Sequence, residues 1–157
     1  EADKQRFIDD IQPLSHQRIY FSYYAYQQPY FIFNPQYKLL LKEDMDVLLI
    51  SAIARTDYLV DYLKEQVNSV RIREYEDHHY FTNYDVGQLK ADFDRMESEK
   101  KVVLTTEKDA MRLELHKPYL MENKLPIWAV PVEVKFHFDE GPQFDEDVRQ
   151  FLLNFKS

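Results

Sequence analysis

Apolar and polar residues follow two different patterns along the chain, and the pattern changes near residue 46. From Val47 to Ala54 the chain is almost continuously apolar, which is typical of a strand buried on both faces of a sheet. Further short runs predict strands around Val70 and Ile72, at Val102–Leu104 and at Ile127–Val130. The stretches between them carry apolar residues at intervals of three and four, as helices do. These repeated strand–helix units predict an α/β fold: a mostly parallel sheet with helices on both faces, a three-layer sandwich.

The chain before residue 42 follows a different pattern. Residues 2–12 predict a helix that ends at Pro13, and residues 18–24 alternate as in a strand. Six of the 12 tyrosines follow between residues 20 and 37, where two prolines favour an edge hairpin or a connector. A small aromatic core explains these tyrosines more simply than a ligand platform does. The predicted organisation is an N-terminal helix at 1–17, a tyrosine-rich β-ribbon or linker at 18–41 and an α/β domain at 42–157 that ends in a helix.

Threonines stand where several of these helices are predicted to begin. Thr56 and Thr106 can each cap a helix with the side-chain oxygen, which accepts a bond from a free backbone N–H group. Thr82 and Asp85 have the spacing of a capping box. Asp109, three residues after Thr106, adds a negative charge that is favourable in the first turn of a helix.

Composition narrows the possible functions. The 157 residues are 45% hydrophobic and 15% aromatic, which is enough for a folded core. Two glycines cannot supply a glycine-rich phosphate loop, and a chain without cysteine has no thiolate nucleophile or cysteine-bound metal. The net charge of −8 disfavours nucleic acid as a partner, and no apolar stretch is long enough to span a membrane. Because the chain begins at Glu1 in a polar stretch, we expect a soluble piece of a longer protein.

Polar segments follow three of the predicted strands, at the point where each strand ends. The carboxyl ends of parallel strands share one edge of a sheet, and ligands of open α/β sheets bind there. We therefore expect one rim to gather the following residues: Arg55, Asp77, His78, His79, Glu107, Lys108 and Asp109. Lys108 either pairs locally or reaches an anionic ligand, and the local pairing is the simpler interpretation.

The Asp77-His78-His79 triplet is the sharpest chemical signal of the sequence, and three interpretations of it stay open. Adjacent histidines can bind a metal ion, or one ring can act as a base that Asp77 orients. The third interpretation is that both rings only form structural hydrogen bonds in a loop. A metal centre usually needs three or four ligands, and the other histidines lie in unrelated contexts, so no metal site is predicted.

Four segments matter together and in order: Ala52–Ala54, Glu76–Thr82, Leu104–Ala110 and Ile127–Glu133. This series resembles the tetraacyldisaccharide 4'-kinase family, the lipid A kinases of Gram-negative bacteria. The resemblance covers about residue 18 to the end and looks like the C-terminal part of such a kinase. Its most specific features are the Asp-His-His loop and the Thr-Glu-Lys-Asp helix start, about thirty residues apart. The family's usual Gly and Pro are absent from the turn at 52–56.

The resemblance implies transfer of the γ-phosphate of ATP to the 4'-hydroxyl of a tetraacyldisaccharide 1-phosphate, a lipid A disaccharide precursor. It implies that ATP and Mg²⁺ are bound mainly by an N-terminal P-loop domain absent from this sequence. It further implies work at the cytoplasmic face of the inner membrane, with membrane contact only through the full-length protein. His78 matches a histidine that pairs with a base aspartate of the missing domain, and Asp77 supports its loop. The chain alone is expected to form one wall of the cleft and to be inactive.

The residues also allow two other functions. A metal-dependent phosphoesterase would use Asp77, His78 and His79, and titration with Mn²⁺ or Zn²⁺ would reveal it. A non-catalytic interaction module would dock through the tyrosine-rich connector.

Overall fold

The structure is a computed structural model that describes residues 2–155. Its helices are α1 (Ala2–Ile11), α2 (Asp57–Lys64), α3 (Asn83–Asp94), α4 (Glu107–Leu113), α5 (Lys117–Glu122) and α6 (Gly141–Asn154). Its strands are β1 (Ser22–Tyr26), β2 (Tyr30–Phe31), β3 (Asn34–Lys38), β4 (Asp46–Ser51), β5 (Ser69–Glu74), β6 (Lys101–Thr106), β7 (Ile127–Val130) and β8 (Val132–Phe136). Short 3₁₀ turns cover Glu114–His116 and His137–Asp139. No helix within residues 2–155 is long and apolar enough to cross a membrane.

Residues 26–132 form one compact unit, built on a sheet with the strand order β3-β2-β7-β6-β4-β5. Strands β7, β6, β4 and β5 are mutually parallel, whereas β2 runs antiparallel to β7 and β3 antiparallel to β2. This confirms the predicted mostly parallel α/β sheet. Strand β3, with Pro35, lies at the outer edge of the sheet, where a missing backbone donor is tolerated.

Alternate residues of β4 point into two separate cores, one on each face of the sheet. Leu48 and Ile50 belong to a core that includes residues of α3, α4 and α5, whereas Val47 and Leu49 belong to one that includes residues of α2. All four are nearly or completely buried. Helices therefore cover both faces, which explains why the β4 sequence is continuously apolar rather than alternating.

The order of the strands places a topological switch point beside β4. The chain leaves β4 through α2 and returns in β5 on one side, and it then crosses through α3 to β6 on the other side. The loops that follow β4 and β6 consequently diverge at the carboxyl edge of the sheet. Such a divergence leaves the crevice in which ligands of this architecture bind.

Residues 2–25 and 133–155 form a second compact unit. Strands β1 and β8 pair as a two-stranded sheet. Within this unit, Arg18 forms an ion pair with Asp147 at 3.0 Å, and the Tyr20 and Phe144 rings lie 5.3 Å apart edge to face. Strand β8 thus does not extend the six-stranded sheet, although it follows β7 directly in the chain.

Candidate functional site

Ala52, the residue after β4, connects the segments of the rim through two backbone hydrogen bonds. Its backbone N–H donates to Asp109 Oδ2 at 3.0 Å, and its carbonyl oxygen accepts from the backbone N–H of His78 at 3.2 Å. Ala52 is completely buried. The loop after β5 and the helix after β6 are thus both tied to the backbone of one residue at the switch point.

Asp109 lies at the base of the rim and is fully buried. Besides the Ala52 bond, its carboxylate accepts from the Thr106 hydroxyl at 2.9 Å and from Arg112 Nη1 at 3.1 Å. The backbone N–H of Asp109 donates to Thr106 Oγ1 at 3.1 Å, which confirms the predicted cap of α4. Both carboxylate oxygens are engaged inside the protein, so Asp109 holds the rim together rather than facing solvent.

Asp77, His78 and Lys108 form a cluster on the solvent side of the rim, called the rim cluster below. His78 Nδ1 lies 2.8 Å from Asp77 Oδ2, and His78 Nε2 lies 3.4 Å from Lys108 Nζ. Lys108 Nζ also lies 3.8 Å from Asp77 Oδ1. The His78 side chain is 66% exposed and its backbone is left-handed, with φ at 65°. Non-glycine residues seldom adopt that conformation, and strained residues of this kind cluster at functional sites.

His79 differs from its neighbour in every contact. Its ring stacks on Tyr75 with centroids 4.6 Å apart, and its Nε2 lies 3.1 Å from Asp85 Oδ2. Burial opposes ionisation of Asp85, but hydrogen bonds from Thr82 and His79 outweigh it and hold the pKa of the Asp85 carboxyl below its usual value. Of the two adjacent rings, His79 is therefore part of the packing and His78 is the exposed one.

Arg55 and Glu107 contact residues outside the rim cluster. Arg55 forms an ion pair with Asp57 at 2.7 Å and remains 67% exposed. Glu107 Oε1 accepts from the Tyr30 hydroxyl at 3.3 Å, and burial, followed by the Glu107 charge, raises the pKa of Tyr30.

The predicted cap at Thr56 is wrong. The Thr56 side chain makes no capping bond to α2, and its hydroxyl instead donates to Ser51 Oγ at 3.3 Å. Because Thr56 is buried, its hydroxyl needs a hydrogen-bond partner, and Ser51 at the end of β4 supplies one in place of the helix backbone.

Sequence reasoning missed two parts of the site. Tyr30 reaches Glu107 from β2, an antiparallel strand far away in sequence, and no local pattern points to that contact. The backbone of Ala52 was also missed as an anchor. One signal could have suggested it: Thr106 and Asp109 repeat the spacing of Thr82 and Asp85, so a second carboxylate with a backbone partner could be expected.

Among residues 2–155 the structure shows neither a cluster of metal ligands nor a glycine-rich phosphate loop. Residues 2–155 hold no group of three or more histidine, aspartate or glutamate side chains placed to bind a metal ion. Of the two glycines, Gly87 lies within α3 and Gly141 opens α6, so neither stands in a strand-to-helix turn at the rim. The rim can present a histidine, a carboxylate and an ammonium group to a ligand.

Comparisons with known proteins agree on one family. The family model described as LpxK, tetraacyldisaccharide-1-P 4'-kinase, matches residues 4–153. A tetraacyldisaccharide 4'-kinase of Bacteroides thetaiotaomicron is 31% identical over 144 residues, which are 85% of this chain and 38% of the relative. One from Porphyromonas gingivalis strain ATCC 33277 is 32% identical over 141 residues, with 86% and 38% covered. The chain therefore spans about 38% of the length of these relatives.

A solved structure is also similar to the chain. It is described as the apo form of LpxK from Aquifex aeolicus in complex with ATP. It aligns with a TM-score of 0.47 at 14% identity, over 88% of this chain and 38% of that one.

Proposed function

The chain belongs to the tetraacyldisaccharide-1-phosphate 4'-kinase family, and we propose that it is the C-terminal part of such a lipid A kinase. The whole enzyme transfers the γ-phosphate of ATP to the 4'-hydroxyl of a tetraacyldisaccharide 1-phosphate. This chain supplies one wall of the cleft in which the transfer occurs. The match over residues 4–153 supports this proposal, as does the share of about 38% that the chain covers of its relatives.

The observation that carries the proposal is the position of His78. The ring stands exposed at the carboxyl edge of a parallel sheet, beside a switch point, with Asp77 on one nitrogen and Lys108 near the other. A ring held this way can meet a carboxylate supplied by the rest of the enzyme. We place His78 opposite the aspartate that acts as base, with Asp77 supporting the loop.

The role of His78 in this arrangement is to strengthen that base. A carboxylate that takes a proton from the sugar hydroxyl can share this proton with a neighbouring imidazole nitrogen, so the pair binds the proton more tightly than the carboxylate alone. General-base help of this kind is worth about 10²–10⁴ in rate. Arg55, His79, Glu107, Lys108 and Asp109 complete the wall, with His79 and Asp109 acting through packing.

The rest of the enzyme supplies the binding sites that this chain lacks in the proposed function. ATP and Mg²⁺ are held mainly by an N-terminal P-loop domain, and the chain alone transfers no phosphate. Work at the cytoplasmic face of the inner membrane belongs to the whole protein. Residues 18–41 serve as the ribbon or linker, and residues 42–157 act as the C-terminal domain. No contact among residues 2–155 favours a metal-dependent phosphoesterase or an interaction module over this function.

The test is substitution of the two histidines in the full-length enzyme. His78→Ala is expected to lower kcat by about 10²–10⁴ and to leave KM for ATP nearly unchanged, because the loss is confined to the transition state. His79→Ala is the matched control, one residue away with the same atoms removed, and the kcat of its folded fraction is expected to change far less. Thermal melts of both variants give the folded fraction. Undiminished kcat in His78→Ala would remove this ring from the mechanism.

A further inference from the structure

The two nitrogens of His78 face groups of opposite hydrogen-bonding character. A carboxylate can only accept, so the 2.8 Å contact with Asp77 Oδ2 requires a proton on Nδ1. An ammonium group can only donate, so the 3.4 Å contact with Lys108 Nζ requires a lone pair on Nε2. We infer that Asp77 and Lys108 together fix His78 as the Nδ1–H tautomer, with Nε2 kept as a proton acceptor, and that Lys108 is a positioning residue for this ring.

The backbone holds both partners of this contact in place. His78 is tied through its N–H group to the carbonyl oxygen of Ala52. Lys108 stands in the first turn of α4, and Asp109 of the same turn accepts from the N–H group of Ala52. The backbone of one buried residue, Ala52, therefore connects the His78 loop to the Lys108 helix. Lys108 therefore extends toward the ring from a backbone position that these hydrogen bonds hold in place.

The neighbouring ring gives an internal contrast. His79 Nε2 lies 3.1 Å from Asp85 Oδ2, and that carboxylate can only accept. His79 must therefore carry a proton on Nε2. Two consecutive histidines are thus assigned opposite protonated nitrogens by their surroundings.

The consequence for catalysis rests on the proposed function. With Nδ1 already bonded to Asp77, only the Nε2 lone pair of His78 is available to a partner carboxylic acid. Lys108 favours the tautomer in which Nε2 carries that lone pair, because an N–H group at this position would point at the ammonium. The ring is thereby prepared to receive a share of the proton and not to donate one.

The experiment is long-range ¹H–¹⁵N correlation NMR on this chain, labelled with ¹⁵N-histidine, at neutral pH. His78→Asn and His79→Asn variants assign the two rings. The expected spectrum shows the Nδ1–H pattern for His78 and a protonated Nε2 for His79. In an Asp77→Ala background, where Lys108 is the remaining constraint on the ring, Lys108→Met is expected to lose the Nδ1–H pattern in favour of the Nε2–H form. Asp77→Ala alone, and Asp77→Ala with Lys108→Arg, which also only donates, are expected to retain it.

The charge control is Lys64→Met in the same Asp77→Ala background. Lys64 is an exposed lysine of α2 that lies 3.9 Å from Asp61, so its loss removes the same charge and is expected to leave the His78 pattern unchanged. A His78 ring protonated on Nε2 in the unsubstituted chain, or an unchanged pattern when Lys108→Met is added to Asp77→Ala, would overturn the inference. These spectra need no kinase activity. A normal kcat in His78→Ala would therefore defeat the proposed function alone, and a wrong tautomer would defeat this inference alone.

Discussion

Two helices of the molecule begin with the same sequence pattern and use it differently. Helix α3 starts after Thr82 with Asp85 three residues on, and helix α4 starts after Thr106 with Asp109 three residues on. The local cap is the same in both, since each aspartate N–H donates to the threonine oxygen, at 3.2 and 3.1 Å. The carboxylates then diverge.

Asp85 turns back to its own cap and completes the capping box. It accepts from the Thr82 N–H at 2.8 Å and takes His79 as a further partner. Asp109 accepts from the Thr106 hydroxyl and from Arg112, and it also binds the Ala52 N–H at the end of β4. The Asp85 side chain keeps 15% of its surface exposed, whereas Asp109 keeps none. The same Thr-x-x-Asp pattern therefore completes a capping box at α3, whereas at α4 it connects the end of β6 to the end of β4.

Removal of the two carboxylates is expected to give the largest difference. Asp109→Ala leaves the Ala52 N–H and the largely buried Arg112 guanidinium unpaired, so the free energy of unfolding should fall by about 3–5 kcal/mol. Asp85→Ala should lower it by only about 1–2 kcal/mol, because its partners can reach water. Urea unfolding measures both.

Asp109→Asn guards against a variant too unstable to measure. It keeps an oxygen for the Ala52 N–H but loses the charge that pairs with Arg112, so its stability should fall between those of the unsubstituted chain and Asp109→Ala. If Asp109→Ala and Asp85→Ala lowered the free energy of unfolding equally, the two carboxylates would contribute equally to stability and the comparison would fail.

Removal of the two threonine oxygens should, in contrast, give similar results. Thr82→Ala and Thr106→Ala each delete a cap of the same geometry, so each should lower the free energy of unfolding by about 1 kcal/mol. The same urea titrations measure this. A gap much above about 0.5 kcal/mol would mean that the caps themselves, and not only the carboxylates, are unequal.

The smallest expected effect is the response of Asp85 to acid. Because the pKa of Asp85 is lowered in the folded state, its contribution to stability is present above the unfolded value of about 3.9 and is lost as the pH falls through the folded pKa. The stability gap between the unsubstituted chain and Asp85→Asn should therefore narrow below about pH 4. Other acidic groups are common to both proteins and cancel. A gap that stays constant down to pH 3 would contradict the lowered pKa.

Several features of the fold could be predicted because they depend on neighbours in sequence. The apolar run from Val47 predicted a strand buried on both faces, and the Thr82–Asp85 spacing predicted a capping box; both are confirmed. The edge to which the rim segments belong also followed from the strand–helix alternation. That His78 and His79 would differ could not be predicted, since the two identical residues stand side by side in one loop.

Sequence alone determined the four parallel strands and most of the helices that connect them, that the central sheet is mostly parallel, and which polar residues follow the ends of its strands. Apolar periodicity and helix capping act over a few residues, so they can be read locally. Only the tertiary structure decided that Asp109 binds Ala52 across 57 positions, that Thr56 turns to Ser51, and that β8 pairs with β1. The physical reason is that a buried polar group takes whichever partner the packing brings within hydrogen-bond distance, and that partner can come from anywhere in the chain.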